Sequence, residues 1–157
     1  MLKKARSWVL LTMTLLLVGM VLCMSAVYLV DPFEHYRESA ILPLYDQESY
    51  NNPGIVRNYD YDAVILGTSM VEMSHPSVID ACFGVRSVKL PMRGSYTAHM
   101  GWQLTHVLST HELKLAILAV DAYSLMGKPD DDDEIYDYLW NDDPLDDVHY
   151  LLNRDVL

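Results

Sequence analysis

The sequence predicts an α/β domain with a doubly wound parallel sheet, preceded by one membrane-spanning helix. Three features carry that prediction: an uncharged run of 23 residues from Trp8 to Val30, a strand-helix-strand-helix-strand succession between Ala63 and Val120, and a charge balance that changes sign at Asp31. Up to Val30 the chain has Lys3, Lys4 and Arg6 and no acid, whereas from Asp31 on eight basic residues face 22 acidic ones, a formal −14. Neutralising a nucleic-acid backbone takes clustered Lys and Arg, so that class of partner is excluded. The 127 residues after the apolar run are enough for one domain with a real core and too few for two.

The run from Trp8 to Val30 is interrupted only by Thr12, Thr14 and Ser25 among polar side chains, and a helix crossing the hydrocarbon core needs roughly 20 such residues. The basic residues before it and the acids after it orient the N-terminus inward, which divides the chain into a cytoplasmic segment 1–7, a signal anchor 8–30 and an extracytoplasmic remainder. A cleavable signal has an apolar run of about 7–15 residues and small residues flanking the cut. Here the run is longer, and the one candidate site, Met24-Ser25-Ala26, has a large residue at its first position. Leu22 before Cys23 likewise disfavours a lipoprotein signal. Only Cys82 then lies in the outer part, where it is expected to be a small buried apolar residue.

Residues 31–60 show no sustained period of 2 or 3.6 and contain Pro32, Pro43, Pro53 and Gly54, so they are expected to form an irregular connector. From residue 61 the pattern becomes regular. Ala63-Val64-Ile65-Leu66 is all apolar and ends in Gly67-Thr68-Ser69, the signature of a strand buried on both faces. A short helix runs from Ser77 to about Phe83 and stops at Gly84. Val85 to about Leu90 alternates and is rich in β-branched residues, which predicts a second strand. Tyr96 to about Ser109 carries a helical stripe of Met100, Leu104, Val107 and Leu108. Leu113 to Val120 is a third strand, closed by Asp121.

Connections this short require parallel strands with right-handed crossovers. The third strand is apolar at nearly every position and is therefore expected to be covered on both faces and paired on both edges. An order of 2-1-3 would leave it at an open edge, so a fourth strand is expected beside it. Half of the acids follow residue 129. The run Asp130–Glu134 lacks the alternating ligands and the glycine of a calcium loop and is expected to be solvated. Pro144 to Leu152 is expected to begin an amphipathic helix.

In a doubly wound sheet the binding crevice lies beyond the carboxyl ends of the strands. Gly67-Thr68-Ser69-Met70, Arg93-Gly94-Ser95 and Asp121 converge there. Ser69, on a tight turn two residues after Gly67, is placed as a nucleophile, with the Ser69 and Gly94 amides available as oxyanion donors. A turn with a capping serine is the plainer alternative. Arg93 is either a surface residue or a contact for an anionic substrate. His75 sits before Pro76 at a helix start. His99 and His106 share a helix face with Gln103 at a spacing of seven rather than the four of a metal pair, so a polar surface is expected and no metal or cofactor is implied.

The stretch from Tyr50-Asn51-Asn52-Pro53-Gly54 through Tyr61-Asp62-Ala63-Val64-Ile65-Leu66-Gly67-Thr68-Ser69-Met70, Leu90-Pro91-Met92-Arg93-Gly94-Ser95 and Leu118-Ala119-Val120-Asp121 resembles the SGNH (GDSL-like) hydrolase superfamily. It is most similar to the membrane-anchored bacterial branch of D-alanyl transfer proteins and alginate O-acetyltransferases. The resemblance spans roughly residues 50–157, and Ile65-Leu66-Gly67-Thr68-Ser69 is its most specific part. It implies a three-layer α/β/α, flavodoxin-like sheet, Ser69 as nucleophile, Ser69 and Gly94 amides as oxyanion donors, and ester or acyl-transfer chemistry on envelope glycans.

Two departures matter. The family's third block supplies an Asn donor to the oxyanion, and here Asp121 stands after the third strand. A carboxylate only accepts hydrogen bonds, so Asp121 is expected to orient a loop or a substrate hydroxyl. The family's base arrives as Asp-x-x-His after two further strands. Asp146-Asp147-Val148-His149 spells that tetrapeptide without strands before it, and the plainer reading of Asp146 and His149 is the first turn of a surface helix. The domain 61–157 is thus expected to be the N-terminal part of an SGNH-like fold with little activity. The alternatives are a non-catalytic scaffold or subunit of an envelope polysaccharide assembly, or a fragment that does not fold stably.

Overall fold

The structure, a computed structural model, describes residues 2–38, 47–126, 135–154 and 156. The expected acidic loop at 130–134 lies outside them. Helix α1, Leu2–Val30, is 29 residues long, and its stretch Lys4–Val30 is long and apolar enough to cross a membrane. Thr12, Thr14 and Ser25 return their hydroxyl protons to the carbonyls of Trp8, Leu10 and Val21, at 3.0, 2.9 and 2.7 Å, so the polar interruptions leave no unmet donor.

The helix ends at Asp31, which adopts φ 47°, the left-handed conformation common just past a helix C-terminus. The Arg37 guanidinium donates to the carbonyls of Tyr28 and Leu29, which the helix cannot satisfy itself, and lies 5.2 Å from the Tyr28 ring centroid.

The connector departs from expectation. Instead of irregular chain, Glu48–Asn58 forms helix α2. Tyr50, Asn51, Asn52, Pro53, Gly54, Ile55 and Val56 are all buried, so polar and apolar residues face inward together and no amphipathic period is written. Gly54 is required here: a Cβ would lie 2.4 Å from the Glu34 carbonyl oxygen and 2.6 Å from that of Phe33. Asn58 completes the fit by donating to the Glu34 carbonyl at 2.6 Å.

Strands β1 (Ala63–Gly67), β2 (Ser87–Pro91) and β3 (Leu115–Ala119) form a parallel sheet of order β2-β1-β3. The register pairs Leu66 with Leu90 on one side and Leu118 on the other. The order is the one that leaves β3 at an edge, and no fourth strand stands beside it among the described residues. The expectation that β3 is covered on both faces is not met: Ala116 and Leu118 are exposed, Leu118 by 40 %. β1, central, is buried at all five positions.

Helix α3 (Pro76–Phe83) ends on Gly84 at φ 67°, and helix α4 (Thr97–Thr110) returns to β3. For right-handed crossovers this order puts α3 and α4 on opposite faces. Ile55 and Val56 of α2, Val64 and Leu66 of β1, Leu90 of β2 and Val107 of α4 make one core, flanked by Trp140. α3 buries none of its residues, and Cys82 on it is exposed rather than buried.

Helices α5 (Asp137–Trp140) and α6 (Asp147–Leu151) follow. Leu139 and Tyr150 join Val27, Phe33 and Tyr50 in a second core that fastens the C-terminal segment to the end of α1.

Candidate functional site

Two places collect functional groups: the carboxyl end of the sheet and the junction at the end of α1. At the first, Gly67 closes β1 where a Cβ would meet Val71 Cγ2 at 2.4 Å and the Ala119 Cβ at 3.0 Å, so only glycine lets the following turn fold back against β3. That turn is a 3-10 helix, Ser69–Met73, which presents Ser69 at its first position, exposed. Gly94 lies beyond β2, exposed, at φ 69°. The turn bonds nearby use other amides: Val71 N–H to Thr68 O, Met92 N–H to Gly67 O and Ser95 N–H to Met92 O, at 3.0, 2.9 and 3.2 Å.

Asp121 does not face an oxyanion position as a donor would. Its Oδ2 accepts the Thr68 hydroxyl at 2.7 Å, and its Oδ1 accepts the Ser124 amide at 2.7 Å. These bonds, the Thr68 one foremost, hold its carboxyl below the usual range. Asp121 therefore ties the β3 loop to the residue preceding Ser69.

Arg93 is engaged by carboxylates. Its Nε lies 2.7 Å from Glu72 Oε1 and 2.9 Å from Glu48 Oε1. The Arg93 hydrogen bond lowers the pKa of Glu72, while burial raises that of Glu48. Glu72 is three residues from Ser69, and positions i and i+3 eclipse in a 3-10 helix. A carboxylate held low by a guanidinium is nevertheless a weak base, so Glu72 does not substitute for a histidine. A cavity of about 180 Å³ beside this cluster is lined by Glu48, Asn52, Glu72, Lys89 and Pro91. Sequence reading missed Glu48 and Glu72 because nothing local marks two glutamates 24 residues apart as neighbours.

The histidines are elsewhere. His149 is exposed, its ring 5.5 Å from that of Tyr138, and Asp146 accepts from the Asn141 amide at 3.1 Å. His75 is an exposed N-cap. His99 and Gln103 do not form the expected polar surface. Both are buried, with His99 Nδ1 accepting the Tyr96 N–H at 3.1 Å and closing the first turn of α4. His106 packs on Trp102 with centroids 4.0 Å apart. Ser95 Oγ and the Gln103 amide are buried without a hydrogen-bond partner among the described residues.

The second place was not foreseen. Asp31 Oδ1 accepts the His35 N–H at 2.9 Å and the Tyr150 hydroxyl at 3.0 Å, and Oδ2 accepts the N–H groups of Tyr36 and Arg37 at 2.9 and 3.1 Å. His35, 2 % exposed, sets Nε2 3.1 Å from Asp147 Oδ1 and Nδ1 3.3 Å from Arg57 Nη1. Desolvation by burial lowers the His35 pKa, and burial followed by the Asp31 charge raises that of Tyr150. The Asp147 that pairs with a histidine thus belongs to the tetrapeptide 146–149, but its partner is His35, 112 residues away.

The chain matches no protein-family model, no curated protein and no solved structure.

Proposed function

We propose that this chain is a membrane-anchored, extracytoplasmic unit of the SGNH-like esterase or O-acyltransferase kind, directed at cell-envelope glycans, with Ser69 as nucleophile and little turnover of its own. One observation carries the reading: Ser69 stands exposed on the turn leaving the central strand, and no histidine hydrogen-bonds it among the described residues. Attack on an acyl carbonyl would form the Oγ–C bond as the Ser69 proton passes to a base, and the oxyanion would settle on the Ser69 and Gly94 amides. Without the base the first transfer has no acceptor, and the hydroxyl remains a poor nucleophile at neutral pH.

The test is a fluorophosphonate probe and p-nitrophenyl acetate applied to the detergent-solubilised full chain. Labelling and hydrolysis near background are expected. Fast labelling lost in Ser69→Ala would show that a base is supplied after all, and labelling that survives the substitution would remove Ser69 as the nucleophile.

The anchor reading predicts that a membrane-impermeant maleimide added to intact cells labels Cys82, which is exposed, from outside. Labelling only after lysis would reverse the orientation.

A second reading, a non-catalytic scaffold or subunit of an envelope polysaccharide assembly, is favoured by Asp121, whose carboxylate is committed to Thr68 and Ser124 where a donor would be needed. Glycan binding unchanged in Ser69→Ala, with no covalent labelling, would select it.

A further inference from the structure

His35 occupies a place that fixes its protonation state by geometry. A guanidinium only donates, so the contact of Arg57 Nη1 with His35 Nδ1 at 3.3 Å requires Nδ1 to accept. The neutral ring then carries its proton on Nε2 and donates it to Asp147 Oδ1 at 3.1 Å. A second proton on Nδ1 would set two donors and two positive charges against each other, and Arg57 would have to leave. Arg57 adds polar ties between α2 and the C-terminal segment to the second core: Nη2 donates to the carbonyls of Leu139 and Asn141 at 3.3 and 2.8 Å, and Nη1 to that of His35 at 3.1 Å.

The other groups facing the ring are Asp31 from its own segment, Asp147 from α6, and the rings of Tyr36 and Tyr150 at 4.8 and 4.7 Å. Asp142 lies 3.8 Å from Arg57 on a fully exposed side chain and offers the displaced guanidinium an alternative partner. Although His35 is almost fully buried, it borders an open cavity of about 210 Å³ with Tyr36, Arg57, Asn141 and Asp147.

We propose that His35 is a proton-sensing site, at which protonation of Nδ1 displaces Arg57 and releases α5 and α6 from the end of the apolar helix. The sign follows from linkage. Burial holds the folded-state pKa below the ordinary 6.5, so the unfolded or undocked form binds the proton more tightly. Docking is fully present above that ordinary value and is lost as pH falls from it towards the folded pKa.

Hydrogen exchange of peptides spanning 137–152 in the full chain in detergent, corrected for intrinsic rates, tests this between about pH 5 and pH 7.5. Protection is expected to fall about tenfold for each unit by which the folded pKa lies below 6.5. In His35→Gln, whose amide can accept from Arg57 and donate to Asp147, protection should persist across the range. A wild-type profile flat in pH, or the same pH dependence in His35→Gln, overturns the proposal. Should His35→Gln be unprotected at every pH, Asp147→Asn decides: loss of the carboxylate that favours the charged ring must deepen the fall in protection and carry its lower end to lower pH, and a profile the same as wild type overturns the proposal as well.

Discussion

The carboxyl end of the sheet and the junction at the end of α1 are built from opposite materials. At the sheet end, Ser69 and Gly94 are exposed and close in sequence to the strands that present them. At the junction, Asp31, Glu34 and His35 are at most 2 % exposed, and Asp31 and His35 find partners, Tyr150 and Asp147, more than 100 residues away. The first region looks like a site in the sequence and has few bonds in the fold. The second is a buried cluster of hydrogen bonds that no local spacing announces. A local motif reports where chemistry could be placed, whereas burial and long-range bonding report what the fold depends on.

The largest effect should come from Asp31→Ala. It leaves the buried His35 N–H and Tyr150 hydroxyl, and the part-buried N–H groups of Tyr36 and Arg37, without their acceptor, and each donor orphaned away from water costs about 1–3 kcal/mol. A loss of about 3–5 kcal/mol is expected in chemical unfolding of the detergent-solubilised chain. Asp31→Asn keeps one acceptor oxygen and tolerates the left-handed backbone, so it should cost distinctly less. Equal losses would mean that both carboxylate oxygens together, and not the left-handed backbone that asparagine also tolerates, hold the junction.

Gly54→Ala should come next, at about 3 kcal/mol, the upper part of the range for overpacking, because the added carbon meets two backbone carbonyls rather than a mobile side chain. The loss should appear as reduced exchange protection in both 31–37 and α2. Confinement of the change to α2 would show that the two segments are not packed as a unit.

These two residues also mark the limits of reading the chain as a sequence. β1 was legible because four consecutive apolar residues before Gly-Thr-Ser leave little else for Ala63–Leu66 to be. The helices α3 and α4 were legible from their stops and stripe. α2 was not, since its buried face includes Asn51, Asn52 and Gly54, and burial paid for by hydrogen bonds such as Asn52 Nδ2 to the Pro91 carbonyl, at 2.7 Å, writes no hydrophobic period. The same holds for His99 and Gln103, polar in sequence and buried in the fold. β3 erred in the other direction: its apolar run predicted cover on both faces, and the described residues cover one only in part. Ser69, Gly94 and Asp121 were legible as residues at the carboxyl end of the sheet, but the bonds that commit Asp121 and Arg93 depend on distances no spacing encodes.

Asp121→Asn is expected to act weakly and mainly through pH. The wild-type carboxyl is held below its usual range, so its contribution is present above the unfolded pKa and is lost as pH falls through the folded one. The asparagine variant should lose that acid-side dependence while keeping the Thr68 contact. An unchanged acid limb would place its cause among other carboxylates.

Ser69→Ala should have the smallest effect on the fold. The hydroxyl is exposed and does not cap its own turn, since no side-chain bond closes the 3-10 helix at that end. Removing it is expected to change stability by no more than about 0.5 kcal/mol, as for surface substitutions away from special features. A capping serine would behave differently, with a loss of about 1 kcal/mol on substitution by alanine. The two readings of Ser69 that the sequence left open therefore separate on a stability measurement alone. A near-zero change together with loss of whatever slow fluorophosphonate labelling the wild type shows would leave the residue with a chemical role and no structural one, the reverse of Asp31.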